Sequence, residues 1–131
     1  MNVLTYGTYD LFHHGHLRLL QRAKALGSHL TVGVSTDAFN AIKGKQCVER
    51  HNARVRSVAA CPAVDRVIAE ASWAQKRSDV QRYRIDLFVM GDDWAGAFDD
   101  LRRWCDVLYL PRTPDISSTQ LRAALALGTA R

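Results

Sequence analysis

Asn2-Val3-Leu4-Thr5-Tyr6-Gly7-Thr8-Tyr9-Asp10-Leu11-Phe12-His13-His14-Gly15-His16 carries an apolar, β-branched run into a polar turn with two glycines and three histidines. Asn2 to Tyr6 reads as a strand. From His16 to Leu26, residues Leu17, Leu20 and Ala23 recur on one helical face, and Gly27 stands where a C-cap is expected. A polar, Gly-containing turn thus joins a strand to a helix. His13 and His16 are three apart and share a face near the helix start, with Gly15 between them allowing close approach to backbone. Free N–H groups at a helix N-terminus suit a phosphate, and two imidazoles beside it suit oxygens whose charge grows during phosphoryl transfer. His14 points elsewhere. The same pair also fits a capped, solvated turn, or a zinc site if a third ligand is found; the cysteine spacing offers none.

Outward from this turn, short apolar runs alternate with helical patterns. His29–Ser35 is rich in β-branched residues and reads as a strand. Glu49–Ala60 has helical character, stopped by Pro62. Val64–Ala69 reads as a short strand, Ala74–Tyr83 as a polar helix with a thin apolar face, and Ile85–Met90 as a buried strand ended by Gly91. Ala97–Trp104 reads as a helix, Val107–Leu110 as a last strand and Ser117–Leu127 as a final helix. This order predicts an α/β fold: a Rossmann-like open parallel sheet with helices on both faces, in one domain over residues 1–131. Ligands of such sheets bind beyond the carboxyl ends of the strands. Gly7-Thr8-Tyr9-Asp10, Gly91-Asp92-Asp93-Trp94 and Arg112-Thr113 therefore converge on one rim.

Length and composition agree with a single globular domain. The chain has 131 residues, 47% hydrophobic and 24% charged, which excludes a disordered tail or a disulfide scaffold. No apolar run is long enough for a bilayer, and Met1–Thr5 lacks a basic signal-peptide start, so a cytoplasmic location without membrane insertion is expected. Cys47, Cys61 and Cys105 are odd in number and far apart, the pattern of reduced thiols. A net charge of +5 favours anionic ligands. The arginines are dispersed and no basic tail with interleaved aromatics occurs, so no nucleic-acid partner is expected.

Other segments carry weaker signals. Ser117 and Ser118 suit an N-cap, and with Arg112 they make an anion cradle. Lys43 and Lys45 flank Gly44 on a loop able to reach phosphates. Trp73 and Trp94 fit either a base or the core, and Asp92 and Asp93 either a ligand or a turn. No nucleophile elbow, Walker loop or Gly-x-Gly-x-x-Gly fingerprint is present.

Read together, YGTYDLFHHGH at 6–16, LLQRAKALG at 19–27, STDAFN at 35–40, VDRVI at 64–68, FVMGDDW at 88–94 and YLPRTPDISST at 109–119 resemble the cytidylyltransferases of the His-x-Gly-His nucleotidyltransferase superfamily. The resemblance runs through nearly the whole chain in order. It implies transfer of CMP from CTP to a phosphorylated alcohol, sn-glycerol 3-phosphate first among the acceptors, with release of pyrophosphate. It implies His13 and His16 at the α-phosphate, Lys43 (with Lys45) on phosphate charge, and Arg112, Ser117 and Ser118 on the β- and γ-phosphates. Gly7, Thr8, Tyr9, Gly15, Thr113 and Ile116 complete the nucleotide site, and Asp93 with Gly91 meets cytosine. Asp10, Arg54 and Trp73 are implied as substrate contacts. It further implies Mg2+ carried by the triphosphate, no metal site of the protein's own, and a homodimer.

The chain departs from the resemblance at Cys61-Pro62-Ala63, where an Arg is usual, at Asp115, where Gly is usual, and at Ser118, where Thr is commoner. The first departure bears on which alcohol is accepted. Beyond cytidylyl transfer to another phospho- or phosphono-alcohol, adenylyl transfer from ATP and a nucleotide- or RNA-binding module are the competing readings. GDDW and Trp73 speak against the former, and the dispersed arginines against the latter.

Overall fold

A computed structural model describes residues 1–111 of the chain. Its elements run β1 (Asn2–Gly7), α1 (His14–Ala25), β2 (His29–Ser35), α2 (Asp37–Ile42), α3 (His51–Ala59), β3 (Arg66–Glu70), α4 (Gln75–Arg82), β4 (Leu87–Gly91) and β5 (Asp106–Leu110). Two short 3-10 turns, Asp92–Trp94 and Asp99–Arg103, connect β4 to β5. All strands pair in parallel in the order β3-β2-β1-β4-β5. The Rossmann-like parallel sheet expected from the sequence is the fold observed.

The period-two alternation of the central strands explains why both faces are covered. Val3 of β1 and Leu87 and Val89 of β4 point to one face, where they pack with Leu20 and Ala23 of α1 and Val58 of α3. Leu4, Tyr6, Phe88 and Met90 point to the other, packing with Val80 of α4 and with Phe98, Leu101 and Val107. Each central strand is therefore buried on both sides, which is why Ile85–Met90 reads as a continuous apolar run.

Three local expectations are corrected. α2 forms between the strand His29–Ser35 and the helix expected from Glu49, where the sequence pattern predicts no element; Thr36 caps it by accepting the Phe39 N–H at 3.0 Å. The expected helix over Ala97–Trp104 is instead a 3-10 turn, preceded by Gly96 at φ +83°. Helix α1 ends on Leu26, and Gly27 serves a different purpose from a left-handed cap. A Cβ on it would lie 2.5 Å from the Met1 carbonyl oxygen and 2.7 Å from a Val3 methyl, so close passage of β1 requires glycine. The expected final helix, Ser117–Leu127, lies outside the described residues.

The order of the sheet also places the site. Leaving β1, the chain moves toward β2 and β3, then crosses to β4 on β1's other side. This reversal opens a crevice at the carboxyl ends of β1 and β4, the position where open α/β sheets bind ligands.

Beside the crevice, Tyr6 is the β1 partner of Gly33 on β2, and one edge of its ring lies against that glycine, leaving no room for a side chain. A Cβ at Gly33 would sit 2.1 Å from the Tyr6 ring. Gly33→Ala is therefore expected to destabilise the fold by about 1–3 kcal/mol through overpacking. Urea denaturation measures this, and Tyr6→Leu in the same chain should relieve much of the loss as a coupled pair.

Candidate active site

The segment between β1 and α1 departs from ordinary backbone geometry. Tyr9 and Leu11 both adopt left-handed conformations, at φ 55° and 49°. Such conformations are unfavourable for bulky residues and persist only where surrounding contacts hold them. Here they do. The Asp10 carboxylate accepts the N–H groups of Val48 and Glu49, each at 2.9 Å, and Glu49 returns a carboxylate oxygen to the Leu11 N–H at 2.9 Å. Arg54, fully buried on α3, donates to the carbonyls of Thr8 at 2.9 Å, Ser35 at 2.7 Å and Glu49 at 3.1 Å, and to the Asp37 carboxylate at 2.8 Å.

The loop delivers His13 to the N-cap of α1 in an extended conformation. His13 Nδ1 accepts the Gly15 N–H at 3.0 Å, while the His13 N–H donates to His16 Nδ1 at 3.1 Å. This is a capping box with imidazoles in place of the usual hydroxyl and carboxylate. The rings stack with centroids 3.9 Å apart, and Tyr9 meets the His16 ring edge-on at 5.5 Å. A neutral imidazole whose Nδ1 accepts must carry its proton on Nε2, so both rings are held in the Nε2–H tautomer. Burial, with the charge of His14, lowers His13 below the ordinary imidazole value. Burial, assisted by His13 and opposed by Asp10, takes His16 from 6.5 to about 4. The pair is therefore neutral at pH 7 and donates hydrogen bonds without carrying charge.

Beside His16 opens a cavity of about 430 Å3, walled by Gly7–Asp10, Lys43, Lys45, Glu70, Trp73, Lys76, Gly91, Asp93, Trp94 and Phe98. Positive charge enters from Lys43 and Lys45. The turn between them rests on Gly44 at φ +73°, open to solvent where a side chain would be strained. Lys43 Nζ lies 4.4 Å from the Phe39 ring centroid and 5.6 Å from that of Trp73. Desolvation lowers its pKa, as do Lys45 and Lys76, while Glu70 opposes them.

A family model described as cytidylyltransferase-like matches residues 4–124. The chain belongs to the cytidylyltransferase-like family. It is 51% identical, over 95% of its own length and 96% of the other's, to a glycerol-3-phosphate cytidylyltransferase of Bacillus spizizenii. It is 47% identical, over 94% and 93%, to that of Staphylococcus aureus. A solved structure from Thermoplasma volcanium, a lipopolysaccharide core biosynthesis protein, shares the fold: TM-score 0.76 at 22% identity, over 86% of this chain and 98% of that one.

Of the residues expected to form the site of this cytidylyltransferase-like chain, the cavity brings together Gly7, Thr8, Tyr9, Asp10, His16, Lys43, Lys45, Trp73, Gly91 and Asp93. His13 joins them through its stack on His16, and Gly15 through its N–H to His13. Arg54 is placed otherwise than expected. Its guanidinium is spent on backbone carbonyls and Asp37 beneath the loop, with no surface left for a substrate. Arg112, Thr113, Ile116, Ser117 and Ser118 lie outside the described residues. Sequence reasoning passed over Tyr6, Glu70, Lys76 and Phe98, all of which line the cavity. The signal available for Glu70 was its place at the end of a strand, on the rim where ligands bind.

The depressed His16 value links to stability. With its folded value below the unfolded one, the unfolded chain binds more protons between pH 4 and 6.5. Stability from this group is therefore complete above pH 6.5 and lost as pH falls toward 4, by roughly 3 kcal/mol. Urea denaturation across this range should show the slope, and His16→Gln should flatten it.

Proposed function

We propose that the chain transfers CMP from CTP to sn-glycerol 3-phosphate, forming CDP-glycerol and pyrophosphate. The observation that carries this reading is the neutral, stacked His13–His16 pair at the start of α1, of which His16 lines the cavity at the strand-order reversal. Strong identity to glycerol-3-phosphate cytidylyltransferases supports both the nucleotide and the acceptor.

In this reading an oxygen of the acceptor phosphate attacks the α-phosphorus of CTP in line. The new P–O bond forms as the bond to the β-phosphate bridging oxygen breaks, and the electron pair leaves with pyrophosphate. No activated serine or cysteine is needed, because positioning and charge stabilisation account for most of phosphoryl-transfer catalysis. The Nε2–H groups of His13 and His16 donate to the α-phosphate oxygens as charge develops. Lys43, with Lys45, neutralises the phosphates as a point charge. Gly91 and Asp93, at the end of β4, take the cytosine side, with Gly7, Thr8 and Tyr9 under the phosphates. Arg112, Ser117 and Ser118, with Thr113 and Ile116, hold the β- and γ-phosphates.

The cavity carboxylates fit a Mg2+ ion brought by the triphosphate better than one caged by protein. Asp10 is engaged by backbone N–H groups and Glu70 by Lys76, and among the described residues no three metal-ligating side chains cluster. When bound, the ion supplies charge neutralisation on the triphosphate. The same reading includes a cytoplasmic homodimer. No helix among the described residues is long and apolar enough to cross a membrane, and Ile42 and Val48 stand exposed.

Pyrophosphate release tests the reading. CTP, Mg2+ and glycerol 3-phosphate together should give turnover that chelation of the metal abolishes. His16→Ala should lower kcat at least about a hundredfold with a modest change in KM for CTP, the size expected for losing a transition-state donor. An unchanged kcat, or faster reaction with ATP than with CTP, contradicts it.

A further inference from the structure

The amino end of the sheet, opposite the catalytic cavity, carries a charge pattern that the reaction does not use. β3 begins at Arg66, and the chain enters β4 from Arg82-Tyr83-Arg84 and β5 from Arg102-Arg103-Trp104. All strands are parallel in the order β3-β2-β1-β4-β5, so these segments share one rim, about 19 Å across from β3 to β5 at the usual strand spacing. The Arg84 carbonyl accepts from Asn2 Nδ2 at 3.2 Å, which places the middle of the row beside the start of β1. Arg66, Arg82, Arg84, Arg102 and Arg103 are all exposed, as is Arg77 of α4.

Two half-buried rings hold most of these guanidiniums in place. Arg77 and Arg103 lie over Trp104, at 4.5 and 5.3 Å from its centroid, and Arg66 and Arg82 over Tyr83, at 4.9 and 5.5 Å. Such stacking restricts a long side chain while leaving its N–H edge free to donate. Of the six arginines, only Arg102 is in an ion pair among the described residues, with Asp99 at 3.6 Å. Asp65 on the same rim is taken by Lys24. Asp86, Asp100 and Asp106 are the carboxylates left near the row, and positive charge predominates.

We propose that this rim docks the protein on an anionic lipid bilayer, by charge and without insertion of any segment. A cluster of about four to eight basic residues is what a layer of anionic headgroups attracts, and the row falls within that range. A half-buried Trp and Tyr with guanidiniums stacked on them suit the headgroup layer, which takes both an apolar ring and a phosphate-binding edge. Single-stranded nucleic acid needs free ring faces for its bases, and here arginines cover them. Docking through this end leaves the cavity, at the carboxyl ends of the strands, open to soluble reactants. The inference does not depend on which reaction the cavity performs.

Vesicle sedimentation tests it, using the whole chain and vesicles of phosphatidylcholine alone or with about one-third phosphatidylglycerol. The protein should pellet with the anionic vesicles only, and high salt should release it. Arg82→Gln/Arg103→Gln should lower the partition coefficient at least about tenfold, each basic residue being worth about fivefold at such a surface. Arg18→Gln/Arg56→Gln removes the same charge from exposed positions of α1 and α3, on the other face of the sheet, and should lower it less than about threefold. If the first pair does not fold, Arg66→Gln/Arg84→Asn takes its place, since Asn tolerates the φ of 51° at position 84. CTP with Mg2+ should leave the bound fraction where NaCl of equal ionic strength leaves it. No pelleting at low salt, or equal losses from the two faces, overturns the proposal, the latter because net charge alone then explains binding. Release by CTP, which would put the lipid phosphates in the cavity, or tighter binding to RNA than to anionic vesicles, overturns it as well.

Discussion

The buried guanidinium of Arg54 is the constraint on which the site depends. From α3 it reaches the carbonyls closing β1 and β2, the carbonyl of Glu49 and the carboxylate that begins α2. A planar group with five donors is suited to such a junction, since a lysine would satisfy fewer acceptors from one point. Asp10 and Glu49 add a reciprocal clamp between the two loops. Together they offset the cost of left-handed backbone at Tyr9 and Leu11. That backbone sets His13 at the N-cap, and the N-cap sets His16. The order of the imidazoles is inherited from an ion pair and carbonyls beneath the loop.

Charge and direction are divided among different residues. The histidines are neutral, so their contribution is directional, and their stacking would be unfavourable if both were protonated. Lysines carry the positive charge: Lys43 toward the cavity, Lys76 against Glu70. The start of α1 has no acidic residue in its first turn, so no side-chain charge there cancels the positive end of the helix. Low local dielectric in a partly closed cavity strengthens each of these interactions.

Much of this was legible in the sequence, for identifiable reasons. β1, β2 and β4 announce themselves through apolar and β-branched runs buried on both faces. His13 and His16 are legible because three-residue spacing at a helix start leaves few geometries. Arg54 was not, because its burial is decided by carbonyls contributed from Thr8 and Ser35, far away in sequence. Lys76 and Glu70 were missed for a related reason. On a polar helix with a thin apolar face, a lysine reads as solvated, and only folding brings Tyr6, Phe39 and Phe98 around it. Helix α2 depends on one Thr36 cap and is too short to show periodicity.

The central claim is that the histidine pair acts as two neutral Nε2–H donors fixed by the cap of their own helix. Nitrogen-15 NMR of imidazole-labelled protein tests it most directly. Both His13 and His16 should show unprotonated Nδ1 and protonated Nε2 at pH 7, and His16 should remain so until the pH falls well below 6.5, toward its value of about 4. Titration of His16 near 6.5, or a proton on Nδ1 of either ring at neutral pH, would contradict the account.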